Sequence, residues 1–308
     1  MKDLGNIDEI LGCRVHVNHD LGLITMDQKK YTTGILAKYL DSTETTWLDT
    51  PADNKIVLTI AHGPTNETEK QAMATLPYRE VIGSLLWLSL GTRPDITYAV
   101  SQVAKFSANP GPEHWKAVKR ILRYLLGTTT LGITFYSQTD QEDEESPPTL
   151  TSMYPIGYVD SDYARSEDRR SVTGYIFYLS RGPISWQTRQ QPSTALSTME
   201  AEFMAACAAS QECVWLIQIL KEFGAYFTSP ITLFEDNKAC LDYSRNSTNH
   251  QRTKDISVRY HFIRELINDR VLKLEPIDTA ENVADIFTKP LDKRIFQRLR
   301  ALFMTVII

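Results

Sequence analysis

The sequence predicts an α/β protein: a mixed five-stranded sheet with helices packed on it, preceded by a smaller, mainly helical region. Three observations predict this. The 308 residues fit about two domains. An acidic segment at 137–153, carrying Pro147-Pro148 and no hydrophobic periodicity, divides the chain as an exposed linker. On its N-terminal side apolar residues recur mostly at three and four, whereas on its C-terminal side alternating runs flank helical ones. The domains expected are therefore 1–136, the linker 137–153, and 154–308.

In the first region, Ile10–Val17 and Gly22–Met26 read as strands and lead into a helical stretch at Lys29–Tyr39. A loop bearing Pro and Asn follows over residues 50–66. Tyr78–Leu90, Asp95–Phe106 and Pro112–Leu126 have helical spacing. Pro94-Asp95 and Pro112-Glu113 suit helix starts, because Pro and acidic residues favour the first turn. Trp87 lies in an apolar string and reads as core, as does Trp186 in the second region.

After the linker, Ile156–Asp162 reads as a strand, and Ser171–Leu179 with Ile184–Thr188 as a hairpin turning at Ser180-Arg181-Gly182. A long helix over Thr198–Phe223 has its apolar stripe at Phe203, Ala206, Cys207, Ser210, Val214, Ile217 and Leu220. A strand at Ile231–Glu235, a helix opened by Asn237, a helix at Val258–Asn268, a strand at Val271–Ile277 and a helical end from Asn282 complete the order β-β-β-α-β-α-α-β-α.

Composition narrows the class. With 42% hydrophobic and 23% charged residues the chain can build cores and is not a disordered one. The longest apolar stretch, Val81–Leu90, is about half a bilayer span, and the first residues hold no apolar run of a secretory signal. The expectation is an intracellular soluble protein with no membrane partner. Four cysteines without a C-x-x-C pair point to reduced, buried thiols rather than disulfides or zinc. The net charge of −5 sits wholly in the linker, since residues 1–136 carry 14 basic and 14 acidic side chains and residues 154–308 carry 19 of each. Acidity is thus no argument against a nucleic-acid partner.

Acidic side chains on loops are ordinarily just solvated, so position decides. Asp160 lies at the end of the first strand of the second region, with Asp162 on the same side of it. Asp236 follows the strand at Ile231–Glu235. Glu200 and Glu202 diverge by about 200° on the long helix, so only one can face the sheet. Glu202 borders the apolar stripe, near Ala205, Ala206 and Ala209, which allow close approach. Asp285 sits in a first helical turn, where the dipole favours an anion. Such carboxylates repel one another unless divalent cations neutralise them, and an oxygen-only donor set suits Mg²⁺ or Mn²⁺. Two such ions about 4 Å apart can clamp a phosphodiester.

The segments Gly157-Tyr158-Val159-Asp160-Ser161-Asp162, Arg169-Arg170-Ser171-Val172-Thr173-Gly174-Tyr175, Ala195-Leu196-Ser197-Thr198-Met199-Glu200-Ala201-Glu202-Phe203, Glu235-Asp236-Asn237 and Ala284-Asp285-Ile286-Phe287-Thr288-Lys289-Pro290-Leu291 resemble the ribonuclease H domain of Ty1/copia-type retrotransposon Pol polyproteins. Upstream, Tyr78–Leu88, Thr92-Arg93-Pro94-Asp95-Ile96 and His114–Leu125 resemble the end of that family's reverse transcriptase, including its thumb and connection.

The resemblance implies a ribonuclease H-like fold in which Asp160, Glu202, Asp236 and Asp285 are catalytic and hold two Mg²⁺ ions, with Mn²⁺ as a substitute. It implies an RNA/DNA hybrid as substrate and the remainder of a Pol polyprotein as a partner. The expected location is intracellular, in a cytoplasmic virus-like particle or the nucleus. The family's Lys-His-Ile-Asp run is here Lys254-Asp255-Ile256-Ser257. No Asp-Asp pair of a polymerase active site occurs, so polymerase activity is not expected.

Nucleic-acid contacts are expected at Lys116, Lys119, Arg120 and Arg123, which share one helix face, and at His250, Arg252 and Lys254. Two readings stand at this point: a metal-dependent hybrid nuclease, and a non-catalytic retroelement remnant that binds nucleic acid or only folds.

Overall fold

The computed structural model describes residues 7–41, 43–137, 154–245 and 254–307. They form two compact units. One holds the residues up to Ser137 together with those from Lys289 on, and the other holds Tyr154 to Thr288. Apart from Ser137, the expected linker lies outside the described residues, as do His250 and Arg252.

The first unit opens with β1 (Glu9–Ile10), β2 (Cys13–Asn18), β3 (Leu23–Asp27) and α1 (Lys29–Tyr39). α2 (Glu67–Ala74), α3 (Tyr78–Gly91), α4 (Thr97–Ala104) and α5 (Pro112–Leu126) follow, then β4 (Leu131–Tyr136). α5 starts as expected at Pro112, and its His114 side chain accepts the Gly111 N–H at 2.9 Å. Val81, Leu85, Val100, Val118 and Leu122 are fully buried and make the helical core. Trp87, read as core, is 45% exposed because it lies on the face of α3 opposite that core.

The second unit comprises β5 (Ile156–Asp162), β6 (Val172–Leu179), β7 (Gly182–Gln190), α6 (Thr198–Glu222), β8 (Ile231–Glu235), α7 (Lys238–Arg245), α8 (Lys254–Asn268), β9 (Leu272–Pro276) and α9 (Asp285–Thr288). All nine elements expected from the sequence occur in the expected order. The sheet runs β7-β6-β5-β8-β9, antiparallel from β5 to β7 and parallel from β5 through β8 to β9. This is the mixed five-stranded sheet with packed helices expected from the sequence.

The β6–β7 turn is tighter than expected, because Ser180 and Arg181 both adopt positive φ and Gly182 already belongs to β7. The buried side of α6 also drifts from the expected stripe: Cys213 and Leu216 are buried where Val214 and Leu220 are only half-buried. By length and composition α6 is the one described helix able to cross a membrane; here Ala201, Ala205 and Ala209 bury it in the core instead. All four cysteines are free and buried.

The chain then returns to the first unit with α10 (Lys293–Arg300) and β10 (Thr305–Val306). The second unit therefore ends at Thr288 rather than at 308. The cause lies in α10, whose Phe296 and Leu299 are buried, Phe296 edge-on to Tyr124 at 5.7 Å between ring centres. Arg300 donates to the Tyr124 hydroxyl at 3.0 Å, and β10 pairs with β4. The first unit thus carries, beside the expected α1, α3, α4 and α5, a helix α2 and an antiparallel sheet β1-β2-β3-β4-β10, of which sequence reading missed α2 and the last two strands. Each of these strands is short or lies far along the chain from its partner, so local periodicity carries no sign of the pairing.

Candidate metal centre

Asp160 stands on the central strand β5, directly opposite Gly174 of β6. A Cβ at Gly174 would lie 2.6 Å from Thr288 Cγ2 and 2.7 Å from Phe287 Cβ. Only glycine lets α9 lie this close to the sheet. Three polar contacts hold α9 there. Asn282 donates its amide to the Val159 carbonyl at 2.9 Å, Thr188 donates its hydroxyl to the Phe287 carbonyl at 2.7 Å, and the Thr288 hydroxyl donates to Asp160 Oδ2. Gly174→Ala is therefore expected to destabilise the protein by about 1–3 kcal/mol through overpacking, read as a lower denaturant midpoint.

Glu202 reaches the same place from α6. Ser197 caps that helix by accepting the Glu200 N–H at 3.2 Å, while Glu200 Oε2 accepts the Leu196 N–H at 2.8 Å. Glu200 is thereby committed to the helix start, and Glu202 is the one turned inward, 4% exposed. Asp236 comes from the turn after β8. Carboxylate oxygens of Asp160, Glu202 and Asp236 all lie within 4.8 Å of one another.

Three of the four acids expected from the sequence are thus brought together. Asp285 is outside that group. It is buried at the start of α9, one helical turn from the Thr288 that bonds Asp160. Asp162, on the same strand as Asp160, pairs with Arg165 at 3.9 Å.

The cluster strains its own charges. Burial, and then the neighbouring Glu235 and Asp160 carboxylates, push the Glu202 carboxyl up to about 10. Burial likewise holds Glu235 well above the ordinary carboxylate range, against a hydrogen bond from the Asn237 amide. Glu202 Oε2 is buried with no hydrogen-bond partner among the described residues. An all-oxygen donor set with a buried, unsatisfied acceptor fits a hard divalent cation such as Mg²⁺ or Mn²⁺. Glu235, fully buried beside the three, was missed by sequence reading. The alternation Ile231, Leu233, Glu235 could have found it, since it puts a carboxylate on the core face of β8.

The basic side chains of α5, expected as nucleic-acid contacts, have partners within the chain. Lys119 pairs with Glu44, Arg120 with Asp53 at 3.2 Å and with the Thr50 hydroxyl at 2.9 Å, and Arg123 donates to the Thr46 carbonyl at 2.8 Å. Lys116 pairs with Glu113 along the helix at 2.6 Å. A sequence-local face cannot reveal that the preceding loop folds back on it. Lys119, Arg120 and Arg123 anchor the segment from Glu44 to Asp53. Changing all four basic residues to Gln is expected to lower the stability of the first unit by about 1–2 kcal/mol, as several part-exposed pairs would, read as a lower denaturant midpoint, and to leave the salt dependence of hybrid binding unchanged. Lys254, expected in a loop, opens α8.

Comparison with known proteins gives no matching family model. The chain is 40% identical over 303 residues to the retrovirus-related Pol polyprotein from transposon TNT 1-94 of Nicotiana tabacum, covering 98% of this chain and 22% of that one. It is 38% identical over 221 residues to the corresponding polyprotein from transposon RE1 of Arabidopsis thaliana, covering 71% of this chain and 14% of that one. Among solved structures, LC11-RNase H1, isolated from compost, is 15% identical and covers 44% of this chain and 94% of its own, with a TM-score of 0.34. The chain spans about a fifth of the first of these polyproteins and about a seventh of the second, and its similarity to the retrovirus-related Pol polyproteins of transposons runs through both of its units.

Proposed function

We propose that the second unit is a divalent-metal-dependent nuclease that cleaves RNA within RNA/DNA hybrids. The observation that carries this reading is the convergence of Asp160, Glu202 and Asp236 from three separate elements onto one spot. Side chains that merely solvate a surface have no reason to converge with two of them, Asp160 and Glu202, buried at a stability cost. Asp160, Glu202 and Asp236 would hold Mg²⁺ or Mn²⁺, and Asp285 would complete the set from α9. Bound there, such ions would activate water and neutralise charge on the scissile phosphate.

The remaining work belongs to this chain's own residues. Thr288 fixes the Asp160 carboxylate through its hydroxyl. The Ser197–Glu200 cap fixes the start of α6 and so the direction of Glu202. The parallel β5–β8 pairing sets the strand end from which Asp236 follows. The partners proposed are the hybrid and the remainder of a Pol polyprotein.

The test is cleavage of an end-labelled RNA strand in a hybrid, in single-stranded RNA and in duplex RNA, with Mg²⁺ or Mn²⁺. Hybrid-selective, metal-dependent cleavage that disappears in Asp236→Asn is expected. Absence of cleavage by the unaltered protein with either metal would leave the non-catalytic reading standing, and cleavage retained in Asp236→Asn would remove the carboxylate cluster from the chemistry.

A further inference from the structure

Glu235 has no role in the cluster as described, yet its position is costly. On β8 the side chains of Ile231, Leu233 and Glu235 share the buried face, and Glu235 is 0% exposed. An apolar residue would continue that core without burying a carboxylate, whose burial is unfavourable unless it is hydrogen-bonded. Its Oε2 has no hydrogen-bond partner among the described residues. The other oxygen is well used: Glu235 Oε1 accepts the backbone N–H of Asn237 at 2.9 Å.

The sheet explains why an acceptor is needed there. Pairing of β8 with β5 ends at Tyr158 opposite Phe234, and pairing with β9 ends at Glu235 opposite Pro276. Beyond Glu235 the chain has left both ladders, and the amide of the half-buried Asn237 needs an acceptor from elsewhere. The Glu235 carboxyl supplies the acceptor. Asn237, so held, then caps the next helix, its side-chain oxygen accepting the Cys240 N–H at 2.9 Å and its carbonyl accepting the Leu241 N–H at 3.1 Å. Asp236 is the residue between the clamped strand end and the clamped helix cap, so it inherits its direction from both.

We infer that Glu235 is a positioning residue: its carboxyl oxygen ties the Asn237 amide to the end of β8 and thereby aims the Asp236 carboxylate at Asp160 and Glu202. The effect of Glu235 on cation affinity rests on the function proposed above; its hold on the turn does not.

Two variants separate the acceptor from the charge. Glu235→Gln keeps an oxygen that can accept the Asn237 N–H, whereas Glu235→Met fills similar volume and has none. The first measurement is amide hydrogen exchange of the full chain without metal, followed over residues 236–241. Glu235→Met is expected to speed exchange there by at least about tenfold, the equivalent of one lost hydrogen bond, and Glu235→Gln to leave it within about threefold. The second measurement is Mn²⁺ affinity by titration calorimetry. Glu235→Met is expected to weaken it by about 10- to 100-fold, as loss of a group that orients a ligand does, with Glu235→Gln restoring it to within a few-fold of the unaltered protein.

Unchanged exchange at 236–241 in Glu235→Met would overturn the inference. So would an equal loss of Mn²⁺ affinity in both variants, which would assign the effect to charge rather than to the acceptor. If the unaltered protein bound no Mn²⁺, the metal reading would fail by itself, and the exchange measurement would still decide the role of Glu235.

Discussion

Glu202→Gln is expected to lose hybrid cleavage by at least about 10³-fold while leaving the metal-free protein more stable than the parent. Both effects have one source. Burial and the neighbouring carboxylates raise the Glu202 carboxyl to about 10, so its charge is resisted by the fold and is tolerable only beside a cation. Below the ordinary value of 4.5 both folded and unfolded states carry the proton, and the contribution of Glu202 to stability is fully present. As pH rises from 4.5 towards 10 the unfolded chain releases that proton and the folded one retains it, so stability falls. The slope from one such group approaches about 1.4 kcal/mol per pH unit. Between pH 5 and pH 8 the metal-free parent should therefore lose roughly 2–4 kcal/mol on this account. Glu202→Gln should remove that part of the slope, leaving the share due to Glu235.

Metal reverses the trend. A cation binds the charged carboxylate, so the gain in unfolding midpoint on adding Mg²⁺ should be larger at pH 8 than at pH 6, and binding should release protons. Chemical denaturation across this pH range, with and without Mg²⁺, checks the first point. Calorimetry in two buffers of different ionisation enthalpy checks the second. Identical pH slopes in parent and variant would show that Glu202 is not under this strain.

The nine-element order of the second unit was readable because each element there is announced locally. Alternation marks β5 to β7, a capped amphipathic stretch marks α6, and a short apolar run marks β8. Three of the four carboxylates were legible for the same reason: a strand end or a helix start is a place that sequence pattern can locate. What stayed hidden depends on contacts between distant residues. Glu235 looks like an ordinary strand-end acid until the parallel pairing with β5 and β9 shows that it faces inward. The basic residues of α5 look like a solvated or phosphate-binding face until the Glu44–Asp53 segment is seen to lie on them. The return of α10 and β10 to the first unit rests on Phe296, Leu299 and Arg300 meeting Tyr124 and on strand pairing across more than 160 residues. Nothing in the local pattern of 293–306 specifies which core receives it.

The second large effect concerns that meeting point. Asp95 reads in the sequence as a first-turn acid, but it is fully buried and serves a different purpose. Arg93, 1% exposed, donates to it twice, from Nε at 2.9 Å and from a terminal nitrogen at 2.8 Å. The Tyr124 hydroxyl donates to the same carboxylate at 2.5 Å, and Arg93 also reaches the Thr128 carbonyl at 2.9 Å. Burial pushes the Asp95 carboxyl up, yet the Arg93 guanidinium outweighs it and holds the group below its ordinary range. Its stabilisation is therefore present at neutral pH and is lost only in strong acid, as pH falls through the lowered value.

Asp95→Ala leaves a buried guanidinium and a buried phenol without their acceptor, and is expected to cost about 3–5 kcal/mol. That is a large share of the roughly 5–15 kcal/mol a folded protein has. Replacing the pair together, Arg93→Met with Asp95→Leu, should recover much of the loss, because apolar side chains of similar volume do not need partners. Hydrogen exchange locates the damage: in Asp95→Ala, amides at 93–128 and 296–304 should exchange faster, while those of β5 and β8 hold. If Asp95→Ala is within about 1 kcal/mol of the parent in stability, the network contributes no more than an exposed ion pair, and the hold on α10 comes mainly from Phe296, Leu299 and the β10–β4 pairing.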